Sequence, residues 1–223
     1  MAMLRQDFKV LEVDSGDGIR IEIGASLIFL AFVMVHVVGG LEEFLLDALV
    51  FMVILLSLYL REAFRAAVAL RMGLTVESVR LNGAGGSIVH SRATPLQAET
   101  LAAVGPLASL GLWALASLFH GVLPSGQLAH WVEIFAFVNL FIGIVTLLPV
   151  QPFDGGRFLL SALSRLVGPG FARRVMGALG LPLSVLWLPA CLLAFLIFGM
   201  VLIALPTPRE HWQMLTGRTA AEG

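Results

Sequence analysis

The sequence predicts a mostly α-helical, polytopic membrane protein, with a core of about four spans, a C-terminal helical hairpin and a small cytoplasmic β element. Three observations lead to this class. Of the 223 residues, 58% are hydrophobic and 13% charged, whereas a soluble domain is about half apolar and about a quarter charged. Several apolar runs reach the roughly 20 residues that a helix needs to cross a bilayer. The basic residues fall in alternate loops, as they do in membrane proteins with a fixed orientation.

Residues 8–23 alternate between apolar and polar around a Ser15-Gly16-Asp17-Gly18 turn signal, which predicts a β-hairpin at the membrane surface. A first span is expected over 23–38 and a second over 44–70, ended by Gly73. Residues 74–95 alternate again and contain Asn82-Gly83-Ala84-Gly85-Gly86, the pattern of short strands around a glycine-rich bend. A third span is expected over 97–119 and a fourth over 131–150, followed by a short amphipathic helix to Val167. Residues 171–205 are long for one span and short for two, and Pro182 and Pro189 interrupt them. They are expected to form a tight hairpin of two short helices. One domain is therefore expected over 1–223: a cytoplasmic hairpin (1–22), the core (23–167), C-terminal helices (168–206) and a polar tail (207–223).

Arg5, Lys9 and Arg20 precede the first span, Arg71, Arg80 and Arg92 follow the second, and Arg157, Arg165, Arg173 and Arg174 follow the fourth. The two other loops contain no Lys or Arg. This places the N-terminus, the β segments and the Asp154 end toward the cytoplasm. A net charge of -1 gives no reason to expect nucleic acid, and one cysteine, Cys191, excludes an internal disulfide. The first twenty residues are polar and lack an early apolar core, so no signal peptide is expected.

Arg61, Glu62 and Arg65 stand inside the second apolar run. Ionisable groups at membrane depth are costly and usually mark function. Residues four apart share a helix face, so Arg61 and Arg65 point the same way with Glu62 beside them. Read alone, the arginines either snorkel to the interface or face inward as an ion cluster. Asp154 lies at the cytoplasmic end of the fourth span, between Pro149, Pro152 and the pair Gly155-Gly156. Broken helix at membrane depth occurs where backbone is buried in protein or lines a cavity. A polar pocket between the second and fourth spans is the expectation.

Four segments, in this order, resemble the site-2 intramembrane metalloproteases. Leu60-Arg61-Glu62-Ala63-Phe64-Arg65-Ala66 resembles the L-H-E-x-x-H-A helix with arginine at both histidine positions. Asn82 to Gly86 resembles the glycine-rich strand, and Val104-Gly105-Pro106-Leu107 the start of the third core helix. Leu147 to Arg157 resembles the motif N-L-L-P-x-x-P-L-D-G-G-R. The resemblance implies that Glu62 holds the position of the general base and Asp154 that of the third zinc ligand. Arg61 and Arg65 hold the two histidine positions. Gly85 and Gly86 match the strand that pairs with extended substrate, Thr146 falls on the motif's asparagine, and Asn139 fits a second family asparagine.

Zinc is the family's cofactor, but arginine stays protonated and has no lone pair for a metal. Zinc sites use about three protein ligands plus water, and His36, His90, His120, His130 and His211 stand at no family ligand position. No metal is therefore expected. In the family site Zn²⁺ and two carboxylates sum to zero charge, and so do Arg61, Arg65, Glu62 and Asp154. The arginines are expected to pair with both carboxylates in place of the metal. The leading functional expectation is a non-catalytic relative, a pseudoprotease, whose partners are transmembrane segments or membrane proteins within the lipid bilayer. An active zinc metalloprotease and a transport or channel role stay open as alternatives.

Overall fold

The computed structural model describes residues 9–14, 18–35, 40–83, 85–198 and 206–217. Among these residues four strands and seven helices run β1 (Lys9–Asp14), β2 (Arg20–Gly24), α1 (Ala25–Met34), α2 (Leu41–Arg71), β3 (Val76–Asn82), β4 (Gly85–His90), α3 (Pro95–His120), α4 (Gln127–Thr146), α5 (Asp154–Val167), α6 (Pro169–Phe198) and α7 (Pro208–Thr216). Among the described residues four helices, α2, α3, α4 and α6, are long and apolar enough to cross a membrane. The chain is an integral, mostly α-helical, multi-pass membrane protein with a small sheet.

Three of these long helices fall in the expected core and the fourth lies in the C-terminal part. The segment expected to span over 23–38 is helical only over Ala25–Met34 among the described residues. At ~1.5 Å per residue that helix reaches ~15 Å, about half of a hydrocarbon core. The fourth long helix is α6 instead. It runs without a break through Pro182 and Pro189, so the expected pair of short helices within 171–205 does not form before Phe198. The helix pair at this end consists of α6 and α7. The expected polar tail thus contains a helix whose His211 is fully buried.

Helix α2 carries Glu42 and Glu43 in its first turn and Arg71 in its last, complementing the helix dipole at both ends. Gly73, at a φ of 78°, ends it. Its buried residues are Ser57, Leu58, Arg61, Glu62, Arg65, Ala66 and Ala69. These form one stripe at the three- and four-residue spacing of a helix face, confined to the C-terminal half. The N-terminal half is left to lipid. Helix α3 starts with a capping box in which the Gln97 N–H donates to Thr94 Oγ1 and the Thr94 N–H to Gln97 Oε1, with Pro95 just inside.

The two β segments, read from sequence as separate units, join in one sheet of order β1-β2-β3-β4. β2 pairs with β3 in parallel, and the other pairs are antiparallel. The parallel pair joins the strand that leads into α1 to the strand that follows α2. Alternation gives the sheet two faces. Glu12, Glu22 and Arg80 occupy the polar one, opposite one another. Val79 and Leu81 on the other face pack with Leu58, Ala66, Ala69 and Leu101 in the main core. The sheet therefore rests its apolar face on the C-terminal half of α2, where the charged residues are.

Candidate functional site

The sequence-predicted charges meet in one cluster. Arg61, Glu62, Arg65 and Asp154 are all buried, at 3%, 0%, 7% and 5% exposure. Arg61 Nη1 donates to Glu62 Oε1 at 2.5 Å, and Arg61 Nη2 donates to Asp154 Oδ2. Arg65 Nη1 donates to Glu62 Oε2 at 3.0 Å, and its Nη2 lies 3.7 Å from Asp154 Oδ1. Arg65 Nε donates to the Leu101 carbonyl on α3 at 3.2 Å. The two guanidiniums thus hold both carboxylates, and the four charges cancel. A neutral, hydrogen-bonded cluster is the arrangement in which buried charge is tolerated, because unpaired ions cost several kcal/mol each. Arg61 and Arg65 do not snorkel.

Asp154 reaches the cluster because of the turn after α4. The chain folds back over 147–153, and Asp154 is the first residue of α5. A Cβ on Gly155 would come within 2.1 Å of the Leu147 carbonyl oxygen, and one on Gly156 within 2.6 Å of the Val150 carbonyl carbon. Only glycine permits α5 to start so close beneath α4, which is the physical content of Asp-Gly-Gly here. Val150 and Phe153 pack on Trp187 of α6, with the Phe153 and Trp187 rings 5.0 Å apart.

Gly86 and Gly105 clear space for the cluster from two other sides. A Cβ on Gly86 would sit 2.3 Å from Glu62 Cγ. On Gly105 it would sit 2.8 Å from Asp154 Oδ2 and 2.9 Å from Arg61 Nη2. Gly85 faces open space at a φ of 130° and touches none of the four charges. Asn139 is fully buried one turn away. Its Nδ2 donates to Ser57 Oγ at 2.9 Å and to the Phe135 carbonyl at 2.8 Å, and Ser57 stands four residues before Arg61. The Thr146 hydroxyl donates to the Ile142 carbonyl of its own helix at 2.7 Å.

Several neighbours were not predicted. Gly105 and the Leu101 carbonyl contact the cluster; the Gly105-Pro106 pair inside an apolar helix was the available signal for the first, and a backbone acceptor leaves none. A cavity of ≈ 200 Å³ opens beside Arg65, lined also by His90, Glu99, Arg157 and Ser161. Glu99, on α3, is held by Arg165 Nη2 of α5 at 2.5 Å. Nothing local marks that pair, because its members lie 66 positions apart. Arg157 Nη1 lies 4.0 Å from Asp154 Oδ1, with its side chain more than half exposed.

The donor set does not match a zinc site. Both carboxylates are occupied by guanidiniums, which would repel a dication. Among the described residues no three His, Cys, Asp or Glu side chains converge to hold a metal. The cluster binds charge to charge and fixes three helices, and of its four side chains only the two carboxylates have lone pairs to give a metal.

Fold and site together define a multi-pass membrane protein with a charged cluster buried among α2, α3 and the start of α5, roofed by a sheet edge. No family model matches the sequence. The chain is 37% identical over 148 residues to Rip3 of Mycobacterium tuberculosis, a protein named as a zinc metalloprotease, covering 61% of this chain and 37% of that one. It is 27% identical over 192 residues to a zinc metalloprotease of Methanocaldococcus jannaschii, covering 84% of this chain and 55% of that one. It thus spans between about a third and about half the length of these relatives. The structure of a site-2 protease from Methanocaldococcus jannaschii superposes with a TM-score of 0.68 at 20% identity, over 93% of this chain and 95% of that one, which shows the shared fold. These relatives and the shared fold support a place for the chain in the site-2 protease family.

Proposed function

We propose that this chain is a non-catalytic member of its family, a pseudoprotease that binds or regulates other membrane-embedded proteins. One observation carries the reading: Arg61 bridges the two residues that the family uses as general base and third ligand, Glu62 and Asp154. A carboxylate with both oxygens engaged by guanidiniums is neither a free base nor a free ligand. Glu62 then serves as an ionic partner. Arg61, Arg65 and Asp154 stand at the former metal positions, without zinc.

The surroundings fit a role in binding. Gly85 and Gly86 lie on β4, the edge strand of the sheet, and an edge strand can accept an extended segment by backbone pairing. Asn139 and Thr146 complete the old cleft on α4 in this reading. An apolar groove of ≈ 440 Å³ between α2, α3 and α4, lined by Leu56, Leu115, Phe119, Trp131 and Phe135, offers apolar side chains to a transmembrane segment. The cluster lies toward the cytoplasm in this scheme, on the side of the basic loops.

The test is reversion. Purified wild type is expected to hold no zinc and to leave a model transmembrane segment uncut. The Arg61→His, Arg65→His double variant is expected to regain zinc. About one equivalent of zinc in wild type, lost on Asp154→Ala, overturns the reading in favour of an active metalloprotease.

A further inference from the structure

Helix α7 makes a contact with the turn that precedes Asp154. His211 is fully buried between α7, α6 and the turn that delivers Asp154. Its Nε2 accepts a hydrogen bond from the Gln151 N–H at 3.3 Å, and Nδ1 lies 3.0 Å from the Thr207 carbonyl. An N–H donor on one side and a carbonyl acceptor on the other fix the ring as the neutral form protonated at Nδ1. The ring lies in a notch made by glycine. A Cβ on Gly180 would come within 1.9 Å of His211 Cδ2, and one on Gly177 within 2.4 Å of the Leu215 nitrogen. These close approaches dock α7 on α6 at one register, and the free ring nitrogen reaches the backbone three residues before Asp154.

We propose that His211 is a positioning residue for the ion cluster. Through Gln151 it holds the 149–153 turn from one side, while Trp187 holds Phe153 from another, and together they set Asp154 against Arg61. The C-terminal part of the chain is on this account a structural member of the site, whether or not the site is catalytic. A partner that lifts α7 from α6 would loosen Asp154 without touching it.

The experiment labels carboxyl groups with a membrane-permeant carbodiimide in the full chain in detergent, mapped by mass spectrometry. Wild type is expected to label poorly at both Asp154 and Glu62. His211→Leu fills the space without an acceptor, and a several-fold rise at Asp154 with Glu62 unchanged is expected. His211→Gln carries an oxygen to the position of Nε2 and is expected to restore the wild-type pattern. Gly180→Ala, which displaces the ring without removing it, is expected to raise Asp154 labelling if His211→Leu fails to fold. Unchanged labelling of Asp154 in the variant that folds overturns the proposal. So does an equal rise at Asp154, Glu62 and Glu99, which would mean general loosening, or a His211→Gln variant that behaves like His211→Leu.

Discussion

The Arg61 guanidinium donates to Asp154, a residue 93 positions along the chain and on another helix, while its other terminal nitrogen donates to Glu62. One side chain therefore ties α2 to the start of α5. Breaking a buried ion pair by removing one partner leaves the other charged and dry, which is far costlier than never having had the pair. Asp154→Ala should lower stability in detergent by about 3–5 kcal/mol, read as a fall in the thermal midpoint. Replacing Arg61 by Met in the same chain should recover part of that loss. An Asp154→Ala protein as stable as wild type would show that the pair is not formed.

Gly86 is a packing requirement before it is anything else. Gly86→Ala places a methyl group 2.3 Å from Glu62 Cγ. Overpacking of this kind costs about 1–3 kcal/mol. The same substitution at Gly85 meets no atom but must hold a φ of 130°, which strains any residue with a Cβ. A Gly86→Ala loss that shrinks when Glu62 is shortened to Asp would tie the cost to this contact; an unchanged loss would assign it elsewhere.

Asn139 anchors α4 to α2 through Ser57. Interhelical hydrogen bonds in membranes are worth about 0.6 kcal/mol on average. Asn139→Leu should therefore cost about 1 kcal/mol or less, far below Asp154→Ala. A larger loss would mean that Asn139 Oδ1, buried without a partner, contributes through a contact beyond the Ser57 bond.

The sheet carries its own pH dependence. Burial favours the neutral form of Glu22, but hydrogen bonds from Lys9, Arg80 and Ser78 and attraction to Arg80 outweigh it and hold the carboxyl below its ordinary range. A folded pKa below the unfolded one means stability that is fully present above the unfolded value. That stability disappears as pH falls through the folded value. Glu22→Gln should cost about 2 kcal/mol at neutral pH. The gap between wild type and variant should begin to close below about pH 4, where the unfolded carboxyl protonates first. A gap that persists at low pH would rule out ionised Glu22 as its source.

Legibility followed the range of the interactions. α2, α3 and α4 were readable because each is a continuous, mostly apolar run of span length, and α5 because it is amphipathic. The strand segments were readable by alternation, but their union was not. The β2–β3 pairing joins residues nearly sixty positions apart, and each strand alone reads the same with or without it. The break expected within 171–198 does not occur; length and proline content were weighed without the neighbour. Pro182 and Pro189 stay within a continuous α6, packed on α5 and α7, and tertiary packing overrides the local preference for a break.

The sequence by itself determined the membrane class, the shared helix face of Arg61 and Arg65, and the charge balance with Glu62 and Asp154, because these follow from composition, helical period and valence. It also carried the family's motifs in order. Only the tertiary structure decided that Arg61 takes both carboxylates, that Gly86 and Gly105 lie against the cluster, and that His211 reaches the Asp154 turn. Those are contacts across helices, fixed by close approach to within a few tenths of an ångström. A hydropathy pattern places helices in a bilayer but does not set their separation or rotation.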